Sequence, residues 1–140
     1  MIIGEFDAER PIVRGFLSLP RISGRVQGIA FLLDTGSPVS IIQPQDFREW
    51  GIAAAAVRGQ PVTSAGIGGL VQHVRTEGAL QFVDAGREPG MPEALVTYRL
   101  VVHVAAPSEY NESFPSLLGM DFLGQFDVRL SLRTNTVELE

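Results

Sequence analysis

The sequence predicts a mostly β fold with one or two short helices. Fifteen glycines and nine prolines are spread through the 140 residues, and this frequency of turn-forming residues is typical of short strands joined by turns. Several segments alternate apolar and polar residues with the period of a strand. The chain is 45% hydrophobic and 19% charged, which argues against disorder. Its length fits a single domain that comprises residues 1–140.

The N-terminal part of the chain contains two predicted strands. Residues 1–10 are polar enough to form a loose N-terminal arm. Residues 11–19 alternate well and read as a strand that ends at Pro20. After a turn at Ser23-Gly24, residues 25–33 become increasingly apolar. We therefore expect the end of this second strand to be buried on both faces.

Residues 44–50 carry the strongest helix signals of the chain. Pro44 suits the first helical turn, and Gly51 can take the left-handed conformation that ends a helix. The predicted helix is only about two turns long. Residues 53–56 are ambiguous, because this alanine-rich segment could extend the helix or form a loop.

A β-hairpin is predicted in the middle of the chain. Residues 61–62 and 71–74 are rich in valine and flank a glycine-rich tip, Gly66-Ile67-Gly68-Gly69. Taken alone, this pattern is that of an ordinary flexible hairpin. The turn-forming residues at 84–92 indicate a loop farther along the chain.

The C-terminal part continues the β pattern. Residues 94–104 alternate as a strand and are followed by a polar loop at 107–115. Residues 116–123 begin as a buried strand and turn at Gly119 into a short helix. Residues 125–140 alternate around a turn and predict a closing hairpin.

Composition excludes several classes of function. The net charge is −5 and no cluster of Lys and Arg occurs, so nucleic-acid binding is not expected. The absence of cysteine excludes disulfides and thiolate metal sites. No run approaches 18 apolar residues, and the N-terminus has no secretory signal. The sequence therefore predicts a cytoplasmic protein with no membrane partner.

Asp34-Thr35-Gly36-Ser37 is the most informative segment, because a carboxylate stands there between two strand-forming apolar runs, at 29–33 and 38–42. An ionisable group in such a frame is partly desolvated, and its pKa then depends on its neighbours. Groups of this kind are candidate site residues. The alternative is a strand-ending turn in which Asp34 accepts hydrogen bonds from backbone N–H groups.

Three segments in order resemble the retropepsin family, the retroviral-type aspartic proteases and their small bacterial relatives. They are the Asp34-Thr35-Gly36-Ser37 loop, the glycine-rich tip at 66–69, and Leu117-Leu118-Gly119 leading into a helix. The resemblance covers roughly residues 11–139. It implies an all-β, closed acid-protease barrel that corresponds to one lobe of a pepsin, with one or two short helices.

The resemblance implies that Asp34, Thr35 and Gly36 are catalytic. Two carboxylates about 3 Å apart share one proton, and the pair activates water. The nearest second candidate, Asp84-Ala85-Gly86, continues into polar loop residues and reads as a turn. The second carboxylate must then come from another copy of Asp34, which predicts a homodimer with one active site on its twofold axis. No cofactor or metal is required.

The resemblance also implies a set of substrate-binding residues. The tip at Gly66, Ile67, Gly68 and Gly69 would be a flap that closes over a peptide or protein substrate. Ser37 would donate its hydroxyl to Asp34, lower the pKa values of the carboxylate pair and give an acidic optimum, unless it is a plain solvated serine. Three further residues are either core or pocket walls: Phe114, Pro115 and Leu117.

Other residues and other functions remain open at this point. Viral members of the family often carry an ion pair at the places that Pro38 and Met120 occupy here, so the dimer must be held differently. Asp121 is interpreted as a structural hydrogen-bonding residue. His73 and His103 stand alone on presumed strands, which disfavours metal binding. The rivals to a protease are a non-catalytic dimeric peptide-binding or assembly module and one domain of a larger protein.

Overall fold

The computed structural model describes residues 1–66, 69–85, 90 and 92–140. Within these residues ten strands form one sheet, accompanied by two short α-helices and a single 3-10 turn at Ala54–Ala56. The strands are β1 (Ile2–Asp7), β2 (Arg10–Ser18), β3 (Val26–Leu33), β4 (Ile41–Ile42), β5 (Pro61–Gly66), β6 (Gly69–Asp84), β7 (Ala94–Ala105), β8 (Ser116–Leu118), β9 (Val128–Ser131) and β10 (Thr136–Leu139). The helices are α1 (Pro44–Glu49) and α2 (Met120–Leu123).

The sheet closes on itself into a ring. Its strand order is β5-β6-β7-β4-β8-β3-β2-β1-β10-β9, and a further pairing joins β6 to β2. Phe16 of β2 lies opposite Gln81 of β6 in this closing contact. The mostly β fold with short helices that the sequence predicts is therefore confirmed.

Strands β2, β3 and β7 lie within one or two residues of the predicted bounds, whereas β6 continues to Asp84, well beyond the predicted 71–74. Helix α1 also begins and ends where its signals indicate. Pro44 occupies its first turn, and Gly51 has a φ of +69° while its N–H donates to the Arg48 carbonyl. Trp50 packs against Phe47 with ring centroids 5.5 Å apart. The ambiguous alanine segment at 53–56 contributes the 3-10 turn.

The loose N-terminal arm expected for residues 1–10 is wrong. Residues 2–7 form strand β1, which pairs with β10 on one side and β2 on the other. Ile2 is buried in the core. A Cβ atom on Gly4 would lie only 2.1 Å from the Ile12 carbonyl oxygen, so only glycine fits there. The segment is polar, and the strand that pairs with it, β10, lies at the other end of the chain, so the local sequence did not indicate a strand.

The core lies inside the ring and is built from aromatic and aliphatic side chains of nearly every strand. Its fully buried members include Val13, Leu17, Phe31, Ile42, Leu80, Phe82, Val102, Leu118, Phe122 and Val137. Each such side chain contributes about 1.5–3 kcal/mol when it is removed from water. Strands β3 and β8 run parallel through this core with Leu33 opposite Leu118. Their carboxyl ends, at Asp34 and Gly119, therefore emerge side by side.

Candidate active site

Asp34 stands at the first position after β3, where the strand leaves the core. Its N–H donates to the Leu118 carbonyl at 2.9 Å, so the neighbouring strand β8 fixes its backbone. Its Oδ1 accepts the N–H of Gly36 at 2.9 Å, and its carbonyl accepts the N–H of Ser37 at 3.2 Å. Asp34 is half-buried as a residue, and the hydrogen bond at its Oδ1 is exposed. A tight turn thus holds it at the end of a buried strand.

The junction of β8 and α2 passes directly behind this turn. A Cβ atom on Gly119 would lie 2.4 Å from the Val39 carbonyl oxygen and 2.7 Å from that of Ser37, so no larger residue fits. The N–H of Met120 donates to the Ser37 carbonyl at 2.8 Å. Gly119 therefore permits a close approach of the two segments, which ties the Asp34 loop to the start of a helix.

Ser40 and Asp121 complete that connection. The Ser40 hydroxyl donates to Oδ1 of Asp121 at 2.7 Å, and the Ser40 N–H donates to Oδ2 at 2.9 Å. The Ser40 Oγ also accepts the Gly119 N–H at 3.0 Å. Asp121 is therefore a structural hydrogen-bonding residue, as expected. Ser40 was missed by sequence reasoning, although a serine between Val39 and Ile41 in an apolar run was a usable signal.

Thr35 and Gly36 lie on the exposed side of the turn. Their expected role in catalysis involves a second copy of the chain and stays a prediction. Met120, at the start of α2 beside the loop, is 44% exposed. The solvent-facing side of the turn thus presents a hydroxyl, a glycine backbone and an apolar side chain.

The expected hydrogen bond from Ser37 to Asp34 is not made within the protomer. The Ser37 hydroxyl donates instead to the Val39 carbonyl at 2.7 Å. A hydroxyl has one proton to donate, and the chain folds back after Pro38 so that the Val39 carbonyl takes it. Ser37 is half-buried rather than solvated. It therefore stabilises the turn, and the acidic optimum inferred from it loses its basis within one protomer.

The glycine-rich hairpin forms as predicted up to its tip. Strands β5 and β6 pair antiparallel, and Gly66 lies opposite Gly69 at the last described pair. Ile67 and Gly68, predicted to bind substrate, lie outside the described residues. The role of the hairpin as a flap stays a prediction.

The three predicted pocket or core residues lie around the entry to β8. Phe114 is 46% exposed and therefore does not belong to the core. Pro115 lines a cavity of about 690 Å³ between β2, β3 and α1. Leu117 is half-buried and pairs with Leu32, two positions before Asp34. Of the three, Leu117 is the one that the sheet places next to the Asp34 strand.

Asp84, the alternative second aspartate, has a structural partner. The N-terminal amine of Met1 lies 2.6 Å from its Oδ1, and the Ala85 N–H donates to the Met1 carbonyl at 2.8 Å. Asp84 ends β6 opposite Ala94. Gly86 lies outside the described residues. The contacts of Asp84 agree with the turn interpretation of this segment.

A buried polar cluster at the start of α1 was not predicted. The Ser116 hydroxyl donates to Asp46 through a short hydrogen bond, and its Oγ accepts the Gln43 N–H at 2.9 Å. Burial raises the pKa of Asp46, as does the nearby charge of Glu49, while the Ser116 hydrogen bond acts in the opposite direction. The cluster joins α1 to β8, and Asp34 is not among its members.

The interpretation of the two histidines as solitary is wrong. Their Nδ1 atoms lie 2.7 Å apart, and the Nε2 atom of His73 lies 2.7 Å from the Ser64 hydroxyl. His73 lies in β6 and His103 in β7, and the two strands pair with Arg75 opposite His103. Burial lowers the pKa of both imidazoles. The two histidines meet because the long strands β6 and β7 pair, and each histidine was judged in the sequence without that pairing.

Within the described part of the chain, no group of three or more His, Cys, Asp or Glu side chains is placed to hold a metal ion. In the same residues, no helix has the length and apolar character needed to cross a membrane.

Comparison with known proteins gives similarity at the level of structure and none at the level of sequence. No protein-family model and no curated protein matches the chain by sequence. The crystal structure of a retropepsin-like aspartic protease from Rickettsia conorii is similar with a TM-score of 0.55, and the match covers 99% of this chain and 88% of that chain. The two sequences are 17% identical, so the likeness is one of fold. The chain has the fold of the retropepsin-like aspartic proteases.

Proposed function

We propose that the protein is an aspartic endopeptidase that acts as a homodimer on extended peptide or protein substrates. The observation that carries this proposal is the setting of Asp34. Its carboxylate stands at the end of a buried strand, on a turn fixed to Leu118 and Gly119. A general acid or base must first be held in a defined geometry, and this turn holds the carboxylate in one. The shared fold supports the same reaction class.

In the proposed reaction the two Asp34 carboxyl groups hold one proton between them. The ionised group takes a proton from a water molecule while the water oxygen bonds to the peptide carbonyl carbon. The protonated group donates to the carbonyl oxygen, on which negative charge develops. The tetrahedral intermediate then collapses, the C–N bond breaks, and the nitrogen leaves with a proton returned by the dyad. Thr35 and Gly36 hold the two loops in place.

The proposed need for two copies is supported by what three other aspartates of the chain contact. Asp84 is engaged with the N-terminal amine and Asp121 with Ser40. Asp46 is buried in its cluster with Ser116. Asp34 combines a buried strand behind it with the exposed residues Thr35 and Gly36 beside it. Two such turns can approach face to face, since glycine permits close backbone contact.

Substrate would bind as an added strand, with backbone hydrogen bonds for affinity and side-chain pockets for specificity. We assign its contacts to the hairpin tip and to the residues around the Asp34 loop. In sequence order they are Ser37, Gly66, Ile67, Gly68, Gly69, Phe114, Pro115 and Leu117. Ser37 enters this set through its place in the turn, since its hydroxyl is engaged by Val39.

Sedimentation combined with a peptide-library cleavage assay between pH 3 and pH 8 tests the proposal. We expect a dimer and cleavage that Asp34→Asn abolishes. Asp7→Asn is the matched control, because it removes an exposed carboxylate that makes a 3.8 Å ion pair with Arg10 and should leave cleavage unchanged. A monomer at high concentration without Asp34-dependent cleavage contradicts the protease assignment.

A second candidate is a dimeric module of the same fold that binds peptides without cleaving them. Extended-strand recognition does not require hydrolysis. This function predicts that the library peptides bind with equal affinity to the native chain and to Asp34→Asn, and that neither is a catalyst. An intact carboxylate at the end of a buried strand favours the protease, because a binding module does not need one.

A further inference from the structure

Two buried imidazoles connect the β5–β6 hairpin to the strand that supports the Asp34 loop. The Ser64 hydroxyl in β5 contacts Nε2 of His73 in β6, and Nδ1 of His73 contacts Nδ1 of His103 in β7. The N–H of His103 donates to the Ser40 carbonyl at 3.0 Å. Ser40 in turn holds the segment behind Asp34 through its contacts with Asp121. A continuous line of contacts therefore runs from the hairpin to the candidate active site.

The contact between the two Nδ1 atoms sets a limit on how many protons the pair can carry. At 2.7 Å, one Nδ1 must be protonated and the other must present its lone pair. Either ring can be the donor. One added proton can go to the Nε2 atom of the donor ring, where it leaves the contact intact. A second added proton must occupy the accepting Nδ1, and two N–H groups with two positive charges then face each other.

The surroundings disfavour the doubly charged pair. His73 is 2% exposed and His103 is 9% exposed, so charging either ring costs desolvation energy. Arg75 of β6 adds positive charge near His103, while Asp121 of α2 favours a charge on that ring. Arg48 of α1 lines the same cavity as His73. The environment of His103 thus offers one carboxylate, from Asp121, and one guanidinium group, from Arg75, that opposes a charge on the ring.

We propose that the His73–His103 pair is a proton-operated link between the β5–β6 hairpin and the Asp34 loop. The link is closed while at most one imidazole is charged, and it opens when both are charged. Opening separates the two rings, which frees Ser64 of β5 and loosens His103, whose backbone N–H holds the Ser40 carbonyl. The two histidines are positioning residues in this scheme, and the link does not depend on whether the protein cleaves peptides.

The pH range of the opening follows from the sign of the pKa shifts. Burial lowers both imidazole pKa values below 6.5, so the folded state binds these protons less readily than the unfolded chain does. Stability from the neutral pair is fully present above pH 6.5 and is lost as the pH falls through the lowered pKa values. The link therefore opens on the acidic side of neutrality. The hairpin strand β5, which ends the strand order of the sheet, is the element most affected.

Nuclear magnetic resonance of the imidazole nitrogens tests the link directly, because His73 and His103 are the two histidines of the chain and their signals are not overlapped by others. At pH 7.5 we expect one protonated and one unprotonated Nδ1. On acidification we expect two separate titrations, both below pH 6.5. The experiment is run on the native chain and on Asp34→Asn, so its result is independent of proteolysis. Two rings that titrate together near pH 6.5 would overturn the proposal.

Amide hydrogen exchange measures whether the hairpin and the Ser40 contact loosen when the link opens. Protection factors corrected for intrinsic pH dependence should fall about tenfold or more for residues 62–66 and for the His103 N–H as the second ring titrates. In His103→Gln the protection of residues 62–66 should no longer change between pH 6.5 and pH 4.5. In Ser64→Ala the rings should titrate as in the native chain, and the His103 N–H should still lose protection. The protection of residues 62–66, however, should no longer change with the titration.

These variants separate a proton-operated link from a merely structural histidine pair. A structural role predicts lower protection in His103→Gln at every pH with the native pH dependence retained, and that result contradicts the link. Native protection of β5 that stays constant while both rings titrate also contradicts it. If His103→Gln does not fold, the native chain and Ser64→Ala still give both readouts.

Discussion

Ser40 donates two hydrogen bonds to the carboxylate of Asp121, from its hydroxyl at 2.7 Å and from its backbone N–H at 2.9 Å. The two residues are 81 positions apart in the chain. Their contact fastens the segment that follows Asp34 to the helix that follows Gly119. The geometry of the candidate active site therefore depends on a pair of residues that touches no reacting group.

Replacing Ser40 with alanine should loosen this connection. The change removes the hydroxyl donor to Asp121 and leaves the buried N–H of Gly119 without its acceptor. An unsatisfied buried donor costs about 1–3 kcal/mol, and we expect a loss of unfolding free energy in that range in urea denaturation. Ser131→Ala is a control, because its hydroxyl accepts an exposed hydrogen bond from Thr134. Equal stability of the two variants would show that the Ser40 contact does not hold the loop.

Gly119→Ala should be more damaging than a glycine replacement elsewhere in the same sheet. Its Cβ atom would lie 2.4 Å from the Val39 carbonyl oxygen and 2.5 Å from the Val39 carbonyl carbon. Backbone atoms must move to relieve such overlap, at a cost of about 1–3 kcal/mol or more. Gly28→Ala is the matched control in β3, since nothing lies within 4 Å of its added Cβ. Thermal unfolding of both variants measures the difference, and a Gly119→Ala melting temperature as high as that of Gly28→Ala contradicts the packing described.

The sequence predicted features that depend on neighbouring residues and missed those that depend on distant ones. Pro44 and Gly51 mark the ends of α1 because both act through their own backbone conformation. The partners of β1, by contrast, include a strand at the other end of the chain. Contacts such as Ser116 with Asp46 arise only when the sheet closes. The Asp34 turn was predictable because its glycine and flanking strands are local, whereas the orientation of the Ser37 hydroxyl was not.

The buried carboxyl of Asp46 should make stability depend on pH in the acidic range. Its pKa is raised above 3.8, mainly by burial. The stability associated with the protonated form is fully present below that value and is lost as the pH rises through the raised pKa. In Asp46→Asn this dependence should vanish, while the exposed-carboxylate variant Asp7→Asn should keep it. Unfolding free energies measured from pH 3 to pH 7 provide the check, and identical pH profiles for the native chain and Asp46→Asn would contradict the raised pKa.

Ser37→Ala should change stability more than it changes the pH–rate profile. The Ser37 hydroxyl donates to the Val39 carbonyl, and the loss of one such hydrogen bond costs about 0.5–1.5 kcal/mol. Because this proton is not directed at Asp34 within the protomer, the acidic limb of the profile should stay where it is. Urea denaturation and cleavage rates from pH 3 to pH 8 give the two readouts. An acidic limb that moves upward by a measurable amount would show that the hydroxyl serves the carboxylate pair in the dimer.

Mixing native chains with Asp34→Asn chains should reveal whether two copies share one active site. After subunits exchange at equal amounts, random pairing leaves about one quarter of the dimers with two native carboxylates. Cleavage should therefore fall to about one quarter of the rate given by the same total amount of native protein. Asp7→Asn chains mixed in the same way should leave the rate unchanged, because both Asp34 residues persist in every dimer. A rate of one half with Asp34→Asn would mean that each chain works alone, and the shared carboxylate pair would then be wrong.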